Sequence, residues 1–295
     1  MKPPYYLGGP MWSVEKWKGT LYTRKASSKE LLRQYARVFT SVEGNHTFYA
    51  MPSPDSVRRW ASEVPEGFRF CFKVPRIISH ESQLDSPRAH DLVDQFLRLL
   101  EPIAGQTGLV FLQLPPGFSG NCLGQLEVFL NRLPASFRFC VEARHPDYFD
   151  KGPVEGHFLK LLRELGMNRA LFDTEVLHAL AANSSEIREA QRKKPGNPAR
   201  FDATGSNPFL RYVGYEEVEP NRKPLARIAA VCRDWILEGK RPFIFLHSPG
   251  DELVPEISEC FHELLTAALG PVYPLEPLPE WPGRAEPINR QLDLF

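Results

Sequence analysis

The chain of 295 residues carries 36 Lys and Arg against 36 Asp and Glu, so its formal charge is zero and no global field draws it to nucleic acid or an anionic membrane. With 42% hydrophobic and 12% aromatic residues it can bury a large core, either as one barrel-sized domain or as two smaller ones. Its five cysteines, Cys71, Cys122, Cys140, Cys232 and Cys260, are odd in number and include no CxxC pair, which fits reduced thiols in a cytoplasm better than a disulfide framework. The opening MKPPYYLGGPMW has prolines where a signal peptide needs an apolar run, and no segment is long enough to span a bilayer, so the expectation is a soluble, cytoplasmic protein.

In chain order, a first strand is predicted over 5–8, followed by a glycine-proline loop with Trp12 and Trp17. Ser27 with Glu30 three residues on reads as a capping box, and Leu31, Leu32, Tyr35 and Phe39 give the next helix its apolar face. A second strand is predicted over 42–49. Ser53 before Pro54, and later Ser86 before Pro87, are N-cap and first-turn signals of two more helices. Strands follow over 68–74 and 109–114, and a helix over 123–133 leads to the fifth strand in FRFCVEARHPDYF, 137–149. There Phe139, Val141 and Ala143 fall on one side and Arg138, Cys140 and Glu142 on the other. The earlier FRFCFK nearly repeats FRFCVE, which puts Lys73 where Glu142 stands.

A helix over 158–165, a strand over 169–173, a polar excursion over 182–207, a strand over 209–214, a helix over 225–237, a strand over 243–247 and a helix over 257–269 complete the pattern. Strands alternating with helices imply parallel βαβ units, and eight of them in about 270 residues suit an α/β (β/α)8 TIM barrel. A doubly wound sheet is the rival architecture, but no GxGxxG opens a helix after any strand. The expected organisation is a barrel over 1–270 with a proline-rich tail over 271–295.

Barrel chemistry sits at the C-terminal ends of the strands. Those ends deliver Glu43, Asn45 and His46, then Lys73, Gln113, Glu142, Arg144 and His145, Asp173, Arg211 and His247. Lys73 and Glu142 come from odd-numbered strands and are expected to share a layer as an ion pair, which is either a functional element or a self-satisfying buried charge. Glu142, His145, Lys73 and Asp173 are the candidate catalytic groups, and Trp12, Glu43, Asn45, Tyr49, Gln113, Arg144 and Arg211 the candidate substrate contacts. The carboxylates and histidines admit a divalent metal, although no HxxxH or HxD spacing supports one. Lys73, Arg144 and Arg211 admit a phosphate or carboxylate instead, with Glu142 and His145 sharing acid and base roles. Trp12, Trp17, Phe48 and Tyr49 are read as a ring-stacking wall, with capping of the core as the alternative.

The run from Tyr6 through Trp17 and Tyr22, the stretch SVEGNHTFYAMPSPDSVRRWASEVPEGFRFCFKVPRIISHE, then FLQLPPGF and VEARHP, resemble the YecE-like family, known as domain of unknown function 72. The resemblance covers roughly 5–270 and implies a TIM-barrel fold without an established reaction. It carries over Trp12, Glu43, Asn45, Thr47, Phe48, Tyr49, Lys73, His80, Gln113, Glu142, Arg144, His145 and Asp173. His46 stands where the family has a small polar residue, and FLHSP where many members have an asparagine-rich strand end, which leaves a role for the eighth strand open.

From Pro271 the composition shifts to PVYPLEPLPEWPGRAEPINRQLDLF, which reads as an extended linker. Its last five residues, Gln291, Leu292, Asp293, Leu294 and Phe295, resemble the bacterial sliding-clamp binding motif QL(S/D)LF at every position. Such a peptide docks its Leu and Phe side chains into apolar clefts; folding back onto the barrel is the alternative. Two functional classes follow. One is a barrel hydrolase acting on a phosphorylated or nucleotide-like ligand and tethered to the DNA sliding clamp. The other is a non-catalytic binding or adaptor protein.

Overall fold

The computed structural model describes residues 3–286, so the peptide at 291–295 lies outside the described residues. Eight strands form one parallel sheet in the order β1-β8-β7-β6-β5-β4-β3-β2. They are β1 (Tyr6–Gly8), β2 (Ser41–Gly44), β3 (Arg69–Lys73), β4 (Thr107–Gln113), β5 (Phe139–Glu142), β6 (Asn168–Asp173), β7 (Phe209–Val213) and β8 (Phe243–His247). Around them run α1 (Leu31–Tyr35), α2 (His46–Tyr49), α3 (Pro54–Glu63), α4 (Arg76–Ser79), α5 (Pro87–Leu100), α6 (Leu123–Asn131), α7 (Pro153–Glu164), α8 (Glu175–Ala179), α9 (Ser185–Lys193), α10 (Arg222–Leu237), α11 (Val254–Leu269) and α12 (Pro282–Ala285). This is an α/β TIM barrel, and among the described residues no helix is long and apolar enough to cross a membrane.

Parallel strands covered on both faces read as continuous apolar runs, and the alternation of side chains splits them into two cores. Cys71, Phe111, Cys140, Phe209, Phe243 and Phe245 fill the barrel interior, while Leu7, Phe70, Val110, Val141, Leu210 and Ile244 pack outward in the larger core. The phenylalanines of the inner set form an apolar floor below the polar strand ends.

β1 and β2 close the barrel through a few bonds rather than a ladder. Thr40 N donates to Leu7 O at 3.2 Å and Glu43 N to Gly9 O at 3.1 Å. The Tyr35 hydroxyl bridges them, accepting from Gly9 N at 2.7 Å and donating to Ser41 O at 3.0 Å. The two strands approach so closely that a Cβ on Gly8 would lie 2.0 Å from Ser41 O, which only glycine avoids.

β2 is shorter than its sequence pattern predicts. It stops at Gly44, and after Asn45 the four residues His46–Tyr49 make the helical turn α2. The Thr47 hydroxyl lies 3.0 Å from Gly44 O and 2.5 Å from Lys73 O, so a side chain expected to alternate along a strand pins the turn onto the end of β3. Ser53 and Ser86 cap α3 and α5 as their sequences predict, accepting from Ser56 N at 3.1 Å and Ala89 N at 3.2 Å. At Ser27 only half the box forms: Glu30 reaches back to Ser27 N at 2.8 Å, and the helix starts at Leu31.

The excursion contains α9 and crosses the barrel mouth. Arg144 donates to Lys193 O at 3.3 Å, Asn197 Nδ2 to Arg144 O at 2.8 Å, and Thr174 Oγ1 to Pro195 O at 2.6 Å. The proline-rich segment expected to be a free linker instead returns to the barrel, with Trp281 only 2% exposed.

Candidate active site

Period-two alternation sends Glu43, Lys73, Gln113, Glu142 and Arg211 from five strands into one layer at the C-terminal end of the barrel, and all five are buried. Arg211 is its hub. Its Nε and one terminal nitrogen donate to the two oxygens of Glu43 at 2.9 and 2.8 Å, and the other terminal nitrogen donates to Glu142 at 2.6 Å. Glu43 also accepts from Asn45 Nδ2 at 2.8 Å and lies 3.2 Å from His247 Nε2. Glu142 accepts from Gln113 Nε2 at 2.8 Å and Arg144 Nε at 2.7 Å.

Lys73 and Glu142 do not pair directly. β4 lies between their strands, and Gln113 fills the gap, accepting from Lys73 Nζ at 2.9 Å while donating to Glu142. The Lys73 ammonium rests 3.8 Å from the centre of the Phe48 ring. Arg211 stacks 4.2 Å over Phe172, the inward side chain of β6.

These surroundings move the charged groups in opposite directions. Burial raises the Glu43 carboxyl, but the charges of Arg211 and His247 and their hydrogen bonds more than reverse this and hold it well below the carboxylate range. Glu142 is likewise raised by burial and lowered further by Arg211, Arg144 and Lys73. Burial weakens the proton on Arg211, and the two carboxylates more than restore it. Lys73 has no such compensation: burial and then the Arg211 charge bring it from 10.5 down to about 7, against the upward pull of Glu142. His80, beside Lys73 and Arg144, is lowered to about 4, first by burial and then by those cations.

The candidates named from sequence divide accordingly. Lys73, Glu43, Asn45, Gln113, Glu142, Arg144 and Arg211 converge. Asp173 does not. It is the residue after Phe172 and therefore points to the helix side, where Arg227 of α10 donates to it at 2.7 Å and Glu175 N at 3.2 Å. His145 lies beyond the strand end and turns to its own loop, accepting from Asp147 N at 3.3 Å. Trp12 packs against Trp60 and Phe70 in the core, and Trp17 is fully buried with its Nε1 donating to Asp251 O at 2.8 Å, so both cap the core rather than wall the mouth. Tyr49 is 81% exposed at the lip, edge-on to Phe48.

Among the described residues no group of three or more His, Cys, Asp or Glu side chains is placed to hold a metal ion. The oxygens of Glu43 and Glu142 already face Arg211, Arg144, Asn45 and Gln113. A divalent metal therefore does not suit these donors as they stand. Lys194 is a further member of the mouth that sequence reasoning missed. Burial lowers its amine, with Asp251, Arg211, Glu43 and Glu216 as its charged neighbours. Nothing in the spacing of the polar excursion marks it, because only the crossing of the mouth brings it there.

The model of the family described as "Protein of unknown function DUF72" matches residues 6–282. The UPF0759 protein YecE of Escherichia coli K12 is 37% identical over 275 residues, covering 93% of this chain and 97% of the relative. Its counterpart in the O157:H7 strain is 36% identical over the same length. Among solved structures, a DUF72 family protein of Enterococcus faecalis V583 superposes with a TM-score of 0.67 at 16% identity, covering 88% of this chain and 95% of that one. A DUF72 family protein of Thermotoga maritima MSB8 gives 0.61 at 20% identity, covering 88% and 98%. A barrel whose mouth is built from Glu43, Lys73, Gln113, Glu142 and Arg211 thus belongs to the DUF72 family, of which the YecE proteins are members.

Proposed function

We propose that the mouth is an active site in which the Lys73 amine serves as general base for hydrolysis of a small phosphorylated or nucleotide-derived substrate, whose anionic group Arg144 and Lys194 hold. The amine takes a proton from water, the resulting hydroxide attacks phosphorus, and the ester oxygen leaves with the electrons of the broken bond. One observation carries this reading. Lys73 is the one buried cation of the layer whose hydrogen bond goes to a neutral partner, Gln113, while Arg211 is held by two carboxylates. An amine lowered to about 7 is half unprotonated near neutral pH, where a base works best. The test is release of inorganic phosphate from a panel of sugar phosphates and nucleotides. Turnover that disappears in Lys73→Met with no loss of melting temperature supports the reading, and turnover that survives sinks it.

A non-catalytic binding role is favoured by a different observation: both oxygens of Glu43 are fully engaged by protein donors, as structural carboxylates are. Ligand binding at the mouth without any turnover across the panel supports that alternative. The match of residues 291–295 to QL(S/D)LF supports docking to a bacterial sliding clamp, with the barrel delivered to DNA under replication or repair. Capture of the clamp by the full chain, lost when Leu292, Leu294 and Phe295 are replaced by alanine, tests it.

A further inference from the structure

The segment after α11 runs from the base of the barrel to its active face. At the base, His262 Nε2 lies 3.0 Å from Glu276 O and its Nδ1 lies 2.5 Å from the hydroxyl of Tyr5, which precedes β1. Leu275 and Leu278 then pack on the main core, and Trp281 is buried in it. At the other end the segment meets the loop that follows β1. Gly283 N donates to Leu21 O at 3.3 Å, and Glu286 accepts from Arg24 N at 2.8 Å. A Cβ on Gly283 would lie 2.4 Å from Thr20 O, so the backbones are in direct contact. Arg284 locks the end, stacking 3.5 Å over the Trp281 ring while bonding Glu259 of α11 at 2.8 Å.

The composition explains why an extended segment docks here. Leu275, Leu278 and Trp281 recur every third residue, the period of a polyproline-type chain, and the prolines between them lower the entropy lost on ordering. The loop it reaches belongs to the mouth, because Pro10 O at its start accepts from Asn45 Nδ2 at 3.1 Å, the same amide that bonds Glu43.

We infer that residues 273–286 form a strap that fixes the clamp-binding peptide at the rim of the barrel's C-terminal face, so that a bound clamp sits beside the mouth; this rests on the clamp reading above. From Glu286 to Gln291 is five Cα steps, a reach of at most about 18 Å. A free linker of the same composition from residue 271 would extend to about 70 Å and sample every side of the barrel. The partner is therefore presented to one rim, next to the loop with Lys25 and Lys29.

The test is lysine cross-linking of the full chain to the purified clamp, read by mass spectrometry. Links confined to Lys25, Lys29 and neighbouring rim lysines are expected, with none at Lys160 on α7 or Lys240 before β8. Inserting about ten Gly and Ser residues after Glu286 leaves the strap untouched and is expected to keep the affinity within twofold while spreading links to Lys160 and Lys240. Clamp binding by the native chain with links at Lys160 and Lys240 as frequent as at Lys25 overturns the strap's role alone. Absence of any clamp binding overturns the peptide reading and the placement with it.

Discussion

Arg211 and Lys73 occupy the same buried layer, share the Phe111 floor at 5.3 and 5.8 Å, and respond to burial in opposite ways. Arg211 faces two carboxylates in hydrogen-bonding geometry, and its proton is held more tightly than in water. Lys73 meets a neutral amide and an aromatic ring, and the nearby Arg211 charge adds to the cost of its own. Burial is common to both, so pairing decides which cation is structural and which is labile. The guanidinium spreads three donors across two strands in fixed directions, whereas the ammonium is a compact charge that desolvation readily neutralises.

The largest effect that sharpens this contrast comes from Arg211→Met. It strands Glu43 and Glu142 without their cation and is expected to cost about 3 to 5 kcal/mol in urea or thermal unfolding. The pH dependence follows. In the native chain the Glu43 carboxyl is lowered, so its contribution is complete above the ordinary value of 4.5 and is lost as pH falls. In the variant both carboxyls are raised, and the deficit shrinks on acidification. A deficit that grows towards low pH breaks the comparison.

Lys73→Met is expected to act in the other direction. A lysine lowered from 10.5 to about 7 binds fewer protons folded than unfolded between those values, so its penalty on folding is full below about pH 7 and is relieved as pH rises through that window. The difference between native and variant unfolding curves should slope by up to about 1.4 kcal/mol per pH unit, with the variant firmer at pH 7 by about 2 kcal/mol. A flat difference between pH 7 and 10 means that Lys73 is as well compensated as Arg211.

Much of this layer was legible because two simple periods govern it. Strand runs bounded by glycine and proline mark the barrel, and period two from each strand end picks out Glu43, Lys73, Gln113, Glu142 and Arg211. Period two stops predicting direction where the strand itself ends or its last residue faces outward. His145 is three residues beyond Glu142, past the end of β5, and obeys its own turn. Asp173 is still in β6, but counting to the last residue selects it where the inward side chain is Phe172. Lys194 and the strap are placed by chain segments that cross from elsewhere. A proline-rich composition describes an extended backbone equally well whether Trp281 is buried or free.

A smaller effect tests why Lys73 is labile. Gln113→Glu replaces its neutral partner by a carboxylate at 2.9 Å or so, which is expected to raise the amine and cut its acylation at pH 7 by about fivefold, with the midpoint of the labelling profile moved up by about one pH unit. An unmoved midpoint means that burial and Arg211, rather than the neutral amide, control the amine.

The smallest expected effect belongs to Asp173→Asn. Asp173 is 1% exposed, but its partner Arg227 is 45% exposed and also holds Glu175, so water and a second carboxylate take up what the substitution releases. The loss should be about 1 kcal/mol, far below that of Arg211→Met. Because Phe172 and not Asp173 faces Arg211, the labelling midpoint of Lys73 should stay where it is. A shifted midpoint would place Asp173 in electrical contact with the mouth and extend the layer to a sixth strand, making Lys73 one member of a larger titrating set.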